Sequence, residues 1–208
     1  NYNRARTTLT HNNLLGFDDV MNFQYQLAEG ENYTLLTLRY LYPLTDSLKL
    51  GFFAADSKID LRKEYEDENL NGRGKSRLYS IYASQQLINR ENAGLELNLG
   101  FDYKDSFNFQ LGNETSRDRM RVLKGSLDLD LTDSLGRTLI GNEMSYGLSD
   151  IMAGLDDVDT RSSRPGAGGK FFKDNLYLLR LQRLPHNATL LWKNQMQLSS
   201  YILTASEQ

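Results

Sequence analysis

The chain has 208 residues, with 24 Lys plus Arg against 27 Asp plus Glu, a formal net charge of -3 and no cysteine. That length is one domain or part of one, and 12 Tyr and 9 Phe within a hydrophobic share of 39% are too many rings for a disordered tail. The near-neutral balance, without a Lys/Arg stripe, excludes a dedicated nucleic-acid binder, and the missing cysteines exclude disulfides, thiolate metal sites and a Cys nucleophile.

The longest apolar run, Gly51-Phe52-Phe53-Ala54-Ala55, is far short of the roughly 20 residues of a membrane-spanning helix. The first residues, Asn1 to Arg6, lack the apolar stretch of a signal peptide. The chain is therefore expected either to be cytosolic or to begin inside a longer, already exported protein, and the patterns below favour the second.

A period of two dominates the chain. A first strand is expected over 4–12, and a second over 19–28, where Met21, Phe23, Tyr25 and Leu27 alternate with Asn22, Gln24 and Gln26. Strands follow over 33–42, 48–59 and 75–88. Residues 93–106 give the clearest pattern: Leu95, Leu97, Leu99, Phe101 and Tyr103 alternate with Glu96, Asn98, Gly100, Asp102 and Lys104. In 118–131, Leu127, Leu129 and Leu131 alternate with Ser126, Asp128 and Asp130. Strands over 138–150 and 169–184 lead to a last one over 188–203, with Leu190, Trp192, Met196 and Leu198 on one side and Lys193, Gln195, Gln197 and Ser199 between them. Pro43 and Pro185 fall in the expected tight turns and Pro165 in a loop, so none interrupts a strand.

The short links (13–18, 43–47, 89–92, 132–137, 185–187) alternate with mostly longer ones (29–32, 60–74, 107–117, 151–168). An up-and-down antiparallel sheet with one tight and one elaborate rim is the pattern of an outer-membrane barrel, with turns in the periplasm and loops outside. The strands also exceed the roughly 5–6 residues usual in a soluble sandwich. The polar partners include Arg39, Glu96, Asp102, Lys104, Lys124, Asp128, Asp130, Glu143 and Lys193. Charges in that number need water. Either they line an aqueous lumen, or the apolar face is a core and they are ordinary surface. Rim asymmetry and strand length favour the lumen. The expected fold is all-β, a partial antiparallel up-and-down transmembrane β-barrel.

No enzyme chemistry or cofactor is expected. His11 and His186 sit at a strand end and in a Pro-His-Asn turn, without a carboxylate or second His at metal-ligand spacing, so a triad with Ser47 or Ser200 and a zinc site are both declined. Glu64-Tyr65-Glu66-Asp67-Glu68 lacks the order of a calcium loop, and Asp150 with Asp156-Asp157-Val158-Asp159 is read the same way. The segment from Arg161 to Gly169 lacks a phosphate-loop ending and is read as a flexible loop, with contact to lipopolysaccharide phosphates through Arg161 and Arg164 as the functional alternative. Tyr33, Tyr42, Tyr79, Tyr103, Tyr177, Trp192 and Tyr201 fit interfacial girdles as well as ordinary strand preference.

Several short elements, in order along the whole chain, resemble the outer-membrane transporters of two-partner secretion, the hemolysin-activation and secretion type within the superfamily of POTRA-bearing barrels. Asn13-Leu14-Leu15-Gly16-Phe17-Asp18-Asp19 resembles that family's Asn-x-x-Gly-x-Gly-Asp turn, with Asp18 in place of the second glycine. Tyr40-Leu41-Tyr42-Pro43-Leu44 is similar to a Tyr-x-x-Pro-hydrophobic element. Ser145-Tyr146-Gly147, Phe172-Lys173 and Arg180-Leu181-Gln182-Arg183-Leu184-Pro185 follow. Gln197, Leu203 and Ser206-Glu207-Gln208 resemble the approach to the family's Phe-x-x-Gly-Gly and Val-Arg-Gly-Tyr motif.

The resemblance implies a single domain over 1–208: the second to eleventh strands of a roughly sixteen-stranded barrel, lacking the POTRA domains, the first strand and the last ones. Such an excerpt alone would neither insert cleanly nor transport, its two ends being raw sheet edges. It also implies residence in the outer membrane of a Gram-negative bacterium, contact with lipids and lipopolysaccharide, a monomeric state, and passage of one large unfolded exoprotein without ATP. The alternatives are a barrel-assembly protein of the same superfamily, a passive porin or barrel enzyme, and a soluble β-sandwich adhesin.

Overall fold

The computed structural model describes residues 3–28, 33–60 and 72–207. Ten strands form one antiparallel sheet in which each pairs with its neighbours in sequence: β1 (Arg4–Asn12), β2 (Val20–Ala28), β3 (Tyr33–Pro43), β4 (Leu48–Asp60), β5 (Gly72–Arg90), β6 (Ala93–Gln110), β7 (Asn113–Asp133), β8 (Gly136–Gly147), β9 (Phe171–Leu184) and β10 (Ala188–Ser199). β1 and β10 do not pair, so among the described residues the sheet is open. A short 3-10 turn, Ala205–Glu207, closes the described chain.

The largest departure from expectation is at 107–117, expected as a long link. Strands β6 and β7 run on to 18 and 21 residues and meet in a two-residue turn at Leu111-Gly112, both in the left-handed region as a primed hairpin turn requires. On β7 the stretch Asn113 to Arg117 is polar on both faces, so the apolar alternation that marks a strand disappears there although the ladder does not, whereas Phe107 and Phe109 continue it on β6. β5 likewise extends to 72–90, whereas β8 stops at Gly147 and β10 at Ser199, short of the expected 150 and 203. Pro43 is the last residue of β3, paired with Lys49, rather than part of the turn. The elaborate rim is thus built partly from long strands and partly from the 23-residue segment between β8 and β9, Leu148 to Lys170.

Residues directly opposite each other share a face. One face carries Leu9, Tyr25, Phe52, Ile81, Leu99, Leu123, Met144, Leu176, Trp192 and Met196, all 39% or more exposed, and among the described residues no second layer covers it. An apolar sheet face packed on a core would be dry; this one is uncovered among the described residues. Asn142 and Asp174 are a polar interruption there and satisfy each other at 2.5 Å. The buried apolar cluster is small: Met120, Val122, Leu155, Phe171 and Leu203. It forms where the 148–170 segment and the chain after β10 fold onto the opposite face of β7.

Candidate functional site

Register places all nine charged residues expected at the wall on the face opposite the apolar one. Arg39 stands opposite Phe53, Phe53 opposite Ser80, Ser80 opposite Asp102, and Asp102 opposite Val122. Alternation along β6 and β7 adds Glu96, Lys104, Lys124, Asp128 and Asp130. Glu143 pairs with Ser126, and the row from Asp130 continues through Leu139 and Leu179 to Lys193.

Five side chains make a ladder of alternating charge across this face. Lys124 Nζ lies 2.9 Å from Asp102 Oδ2, Lys104 Nζ 3.7 Å from the same oxygen and 2.6 Å from Glu207 Oε1, and Lys173 Nζ 2.9 Å from Glu207 Oε2. Lys173 also donates to the Glu207 carbonyl, and the Ser80 hydroxyl donates to Asp102 Oδ1 at 2.6 Å. Glu207 is 2% and Asp102 6% exposed, and two ammonium groups flank each carboxylate, which offsets the cost of burying it. Glu143 shares the recess beside Lys124. Ser145 sits in the row between Lys124 and Lys173, its hydroxyl buried without a hydrogen-bond partner among the described residues.

Two tyrosines cross a whole strand on this face. Tyr82 of β5 lies over Gly51 of β4, where any Cβ would meet its ring at 2.1 Å, and its hydroxyl receives Arg39 Nε at 3.2 Å from β3. Tyr177 of β9 lies over Gly141 of β8 in the same way and donates to Asp128 Oδ1 of β7 at 2.6 Å. Glycine removes the side chain that would hold each ring upright, and the ring refills the gap. Glu96 accepts from Ser84, and Asp130 pairs with Arg137. Lys173, Tyr82, Tyr177 and Arg137 are further residues of the charged face that the sequence did not single out as such.

The family-like elements occupy the turns and the ladder. The Asn13 side chain accepts the Asp18 N–H at 2.9 Å, Asp19 Oδ1 accepts the Leu15 N–H at 2.9 Å, and Gly16 and Asp18 both take positive φ. Asp18 therefore stands where a glycine would be unstrained. The Tyr40 hydroxyl is buried beside Asp19 without completing a hydrogen bond to it. Gln182 accepts from Arg180 and donates to the Leu135 carbonyl, and Arg180 reaches Asp133, so two neighbouring turns are stapled together ahead of Leu184 and Pro185. Gly147 packs against Phe171. Gln197 lies on the charged face opposite Asn175, and Ser206 meets Thr204 at 3.0 Å beside Glu207.

Other candidate sites dissolve into internal contacts. Arg161 is paired with Asp159 while its side chain stays 60% exposed, and Arg164 turns inward to the Leu203 carbonyl at 3.2 Å. Asp157 accepts from Ser149 and pairs with Lys170. His186 and Asn187 take positive φ in their turn. The acidic run Glu64 to Glu68 lies outside the described residues. Of the girdle candidates, Tyr33 and Tyr177 point to the charged face, whereas Tyr42, Tyr79, Tyr103 and Trp192 are on the apolar one.

No curated protein sequence matches the chain. Among solved structures it is similar to CdiB from Acinetobacter baumannii, with a TM-score of 0.67 and 12% identity, over 98% of this chain and 36% of that one. The chain thus spans little more than a third of the length of that protein, and the likeness shows the fold, a partial β-barrel. The family model of the haemolysin secretion/activation protein ShlB/FhaC/HecB matches residues 1–208. With its turns, its open up-and-down sheet and its outward apolar face in agreement, the chain belongs to the ShlB/FhaC/HecB family of haemolysin secretion/activation proteins.

Proposed function

We propose that the chain is a ten-stranded part of an outer-membrane pore through which a large exoprotein is secreted, and that its charged face lines the conduit. One observation carries this reading: a single sheet, uncovered on its apolar side, holds charges of both signs on the other side. A wall of mixed charge gives a passing unfolded chain no continuous stretch of one sign to bind. In the full-length protein, further strands would close the sheet between β1 and β10, and POTRA domains would capture the partner in the periplasm. Lipid and lipopolysaccharide would cover the apolar face, and the pore would work as a monomer. Transport needs no catalytic residue in this wall, which acts by staying wet and failing to bind.

The test replaces Glu96, Glu143 and Lys193 together by leucine in the full-length protein. The heat-dependent gel shift of a closed barrel should persist in the outer-membrane fraction while exoprotein secretion falls several-fold. Replacement by Gln, Gln and Met should retain most secretion. Unchanged secretion in the leucine variant overturns the conduit assignment.

A further inference from the structure

We infer that the outward face of β4, β5 and β6, just beyond the apolar band, is a binding site for the phosphate groups of lipopolysaccharide, centred on Lys58 and Lys75. The inference rests on the outer-membrane reading above and gives it a lipid-specific site.

The band has a sharp upper edge. On β6 the outward residues Leu95, Leu97, Leu99, Phe101 and Tyr103 are apolar, a height of about 21 Å for tilted strands. Tyr103 and Tyr79 of β5 form a ring pair at 6.1 Å on that edge. The next outward positions on β5 change character at once, to Arg77, Lys75 and Arg73, and on β6 Asp105 interrupts the row before Phe107 and Phe109 resume it. Lys75 lies four residues past Tyr79, about 10 Å higher. This is the depth of the phosphorylated headgroups of the outer leaflet, since the rim of long strands and loops is the external one.

Most cations here are already matched. Arg77 pairs with Asp56 and Arg73 with Asp60, both at 3.2 Å, Arg117 pairs with Glu114, and Arg121 with Asp105. Lys58 and Lys75 are different. They stand directly opposite each other in the ladder, both exposed, and neither makes an ion pair among the described residues. Directly opposed like charges repel. An anion bridging the two ammonium groups converts that repulsion into attraction, and a phosphate supplies the charge and the acceptor oxygens. Lys75 lies over the Phe109 ring at 5.8 Å, and Phe107 is its neighbour on β6, so apolar surface adjoins the cations as an acylated headgroup needs. A soluble anion would use the lysines but leave these rings and the band below without a partner; a phosphorylated glycolipid matches both.

The experiment uses the full-length protein in vesicles of phosphatidylethanolamine containing either diphosphoryl lipid A or its dephosphorylated form. The readout is the midpoint temperature of the heat-dependent gel shift. Diphosphoryl lipid A should raise the midpoint of the wild type by about 3 °C over the dephosphorylated form. The rise should vanish in the double variant Lys58→Glu/Lys75→Glu and survive in Lys58→Arg/Lys75→Arg. An equal rise in wild type and charge-reversed variant overturns the site, and equal midpoints with both lipids overturn phosphate recognition. The same rise produced by inorganic phosphate alone overturns the lipid identity. A wild type without any heat-dependent shift would instead overturn the barrel reading itself.

Discussion

The hydroxyl of Tyr177 reaches Asp128 at 2.6 Å by crossing the full width of β8 at Gly141. Three strands are tied by one side chain that the ladder hydrogen bonds do not include. Valine at position 141 would push the ring away, since a Cβ there meets it at 2.0 Å. Gly141→Val should destabilise the full-length barrel by about 1–3 kcal/mol in urea titrations. Tyr177→Phe, which removes only the hydrogen bond, should cost about 1 kcal/mol. The two losses should be markedly less than additive, because once the ring is displaced its hydroxyl no longer matters. Full additivity would show that the crossing contributes nothing.

Glu207 joins the segment after β10 to two lysines on different strands. Glu207→Gln leaves Lys104 and Lys173 facing each other without their shared anion. Local stability of 203–207 should fall by about 2 kcal/mol. Hydrogen exchange at Glu207, whose amide donates to the Thr204 carbonyl, should accelerate accordingly. Exchange in the middle of β6 should stay unchanged; acceleration there too would mean the ladder holds the sheet and not the segment.

In the 148–170 segment two carboxyls titrate in opposite senses. Hydrogen bonds from the Arg161 side chain hold Asp159 below the ordinary 3.8, burial opposes them, and the Arg161 N–H adds to them. A depressed folded value stabilises above 3.8, and that contribution disappears as pH falls through the folded value. Asp150 is raised by its hydrogen bond to Asp156, by burial and by that neighbour's charge, so its contribution is present at low pH and is lost as pH rises. Acidification from about pH 5 to about pH 3 should therefore deprotect the Asp159 amide, bonded to Ala167, and not the Asp150 amide, bonded to Leu155. Exchange rates corrected for intrinsic pH dependence would show this, and Asp159→Asn should abolish the first trend.

Asp18 takes φ +58° in the turn between β1 and β2, with no side-chain hydrogen bond among the described residues to offset it. Asp18→Gly removes the left-handed strain at a smaller entropic cost. A gain of about 0.5 kcal/mol is expected, seen as a higher midpoint of the heat-dependent gel shift. A loss would show that the carboxylate holds the turn.

The lower half of the sheet was readable because water and lipid divide its two faces, as in the run from Leu95 to Tyr103. Asn113 to Arg117 is polar at every position, so it reads as a loop although it is strand. Lys173 escaped for a related reason. Phe171, Lys173 and Asn175 share one face, and Phe172, Asp174 and Leu176 the other, so each face mixes a ring or aliphatic with polar groups and alternation is silent. Tyr82 and Tyr177 were hidden by distance, because their partners lie two strands away and the enabling glycines on a third. Glu207 is placed by a backbone path after β10 that no period predicts.

The outward position of Leu99 changes what a truncation there would measure. In a water-soluble protein, replacing a buried leucine by alanine leaves a void that neighbours only partly fill, and the void accounts for much of the roughly 3–5 kcal/mol lost. Leu99 is 55% exposed, and in the proposed outer-membrane pore it would face acyl chains, which are fluid and flow into any space left behind. The loss then reduces to the difference in transfer of a few methylene groups, about 2 kcal/mol. Substitution tolerance on this face is set by a liquid, and on the opposite face, where Tyr177 must thread past Gly141, by a solid.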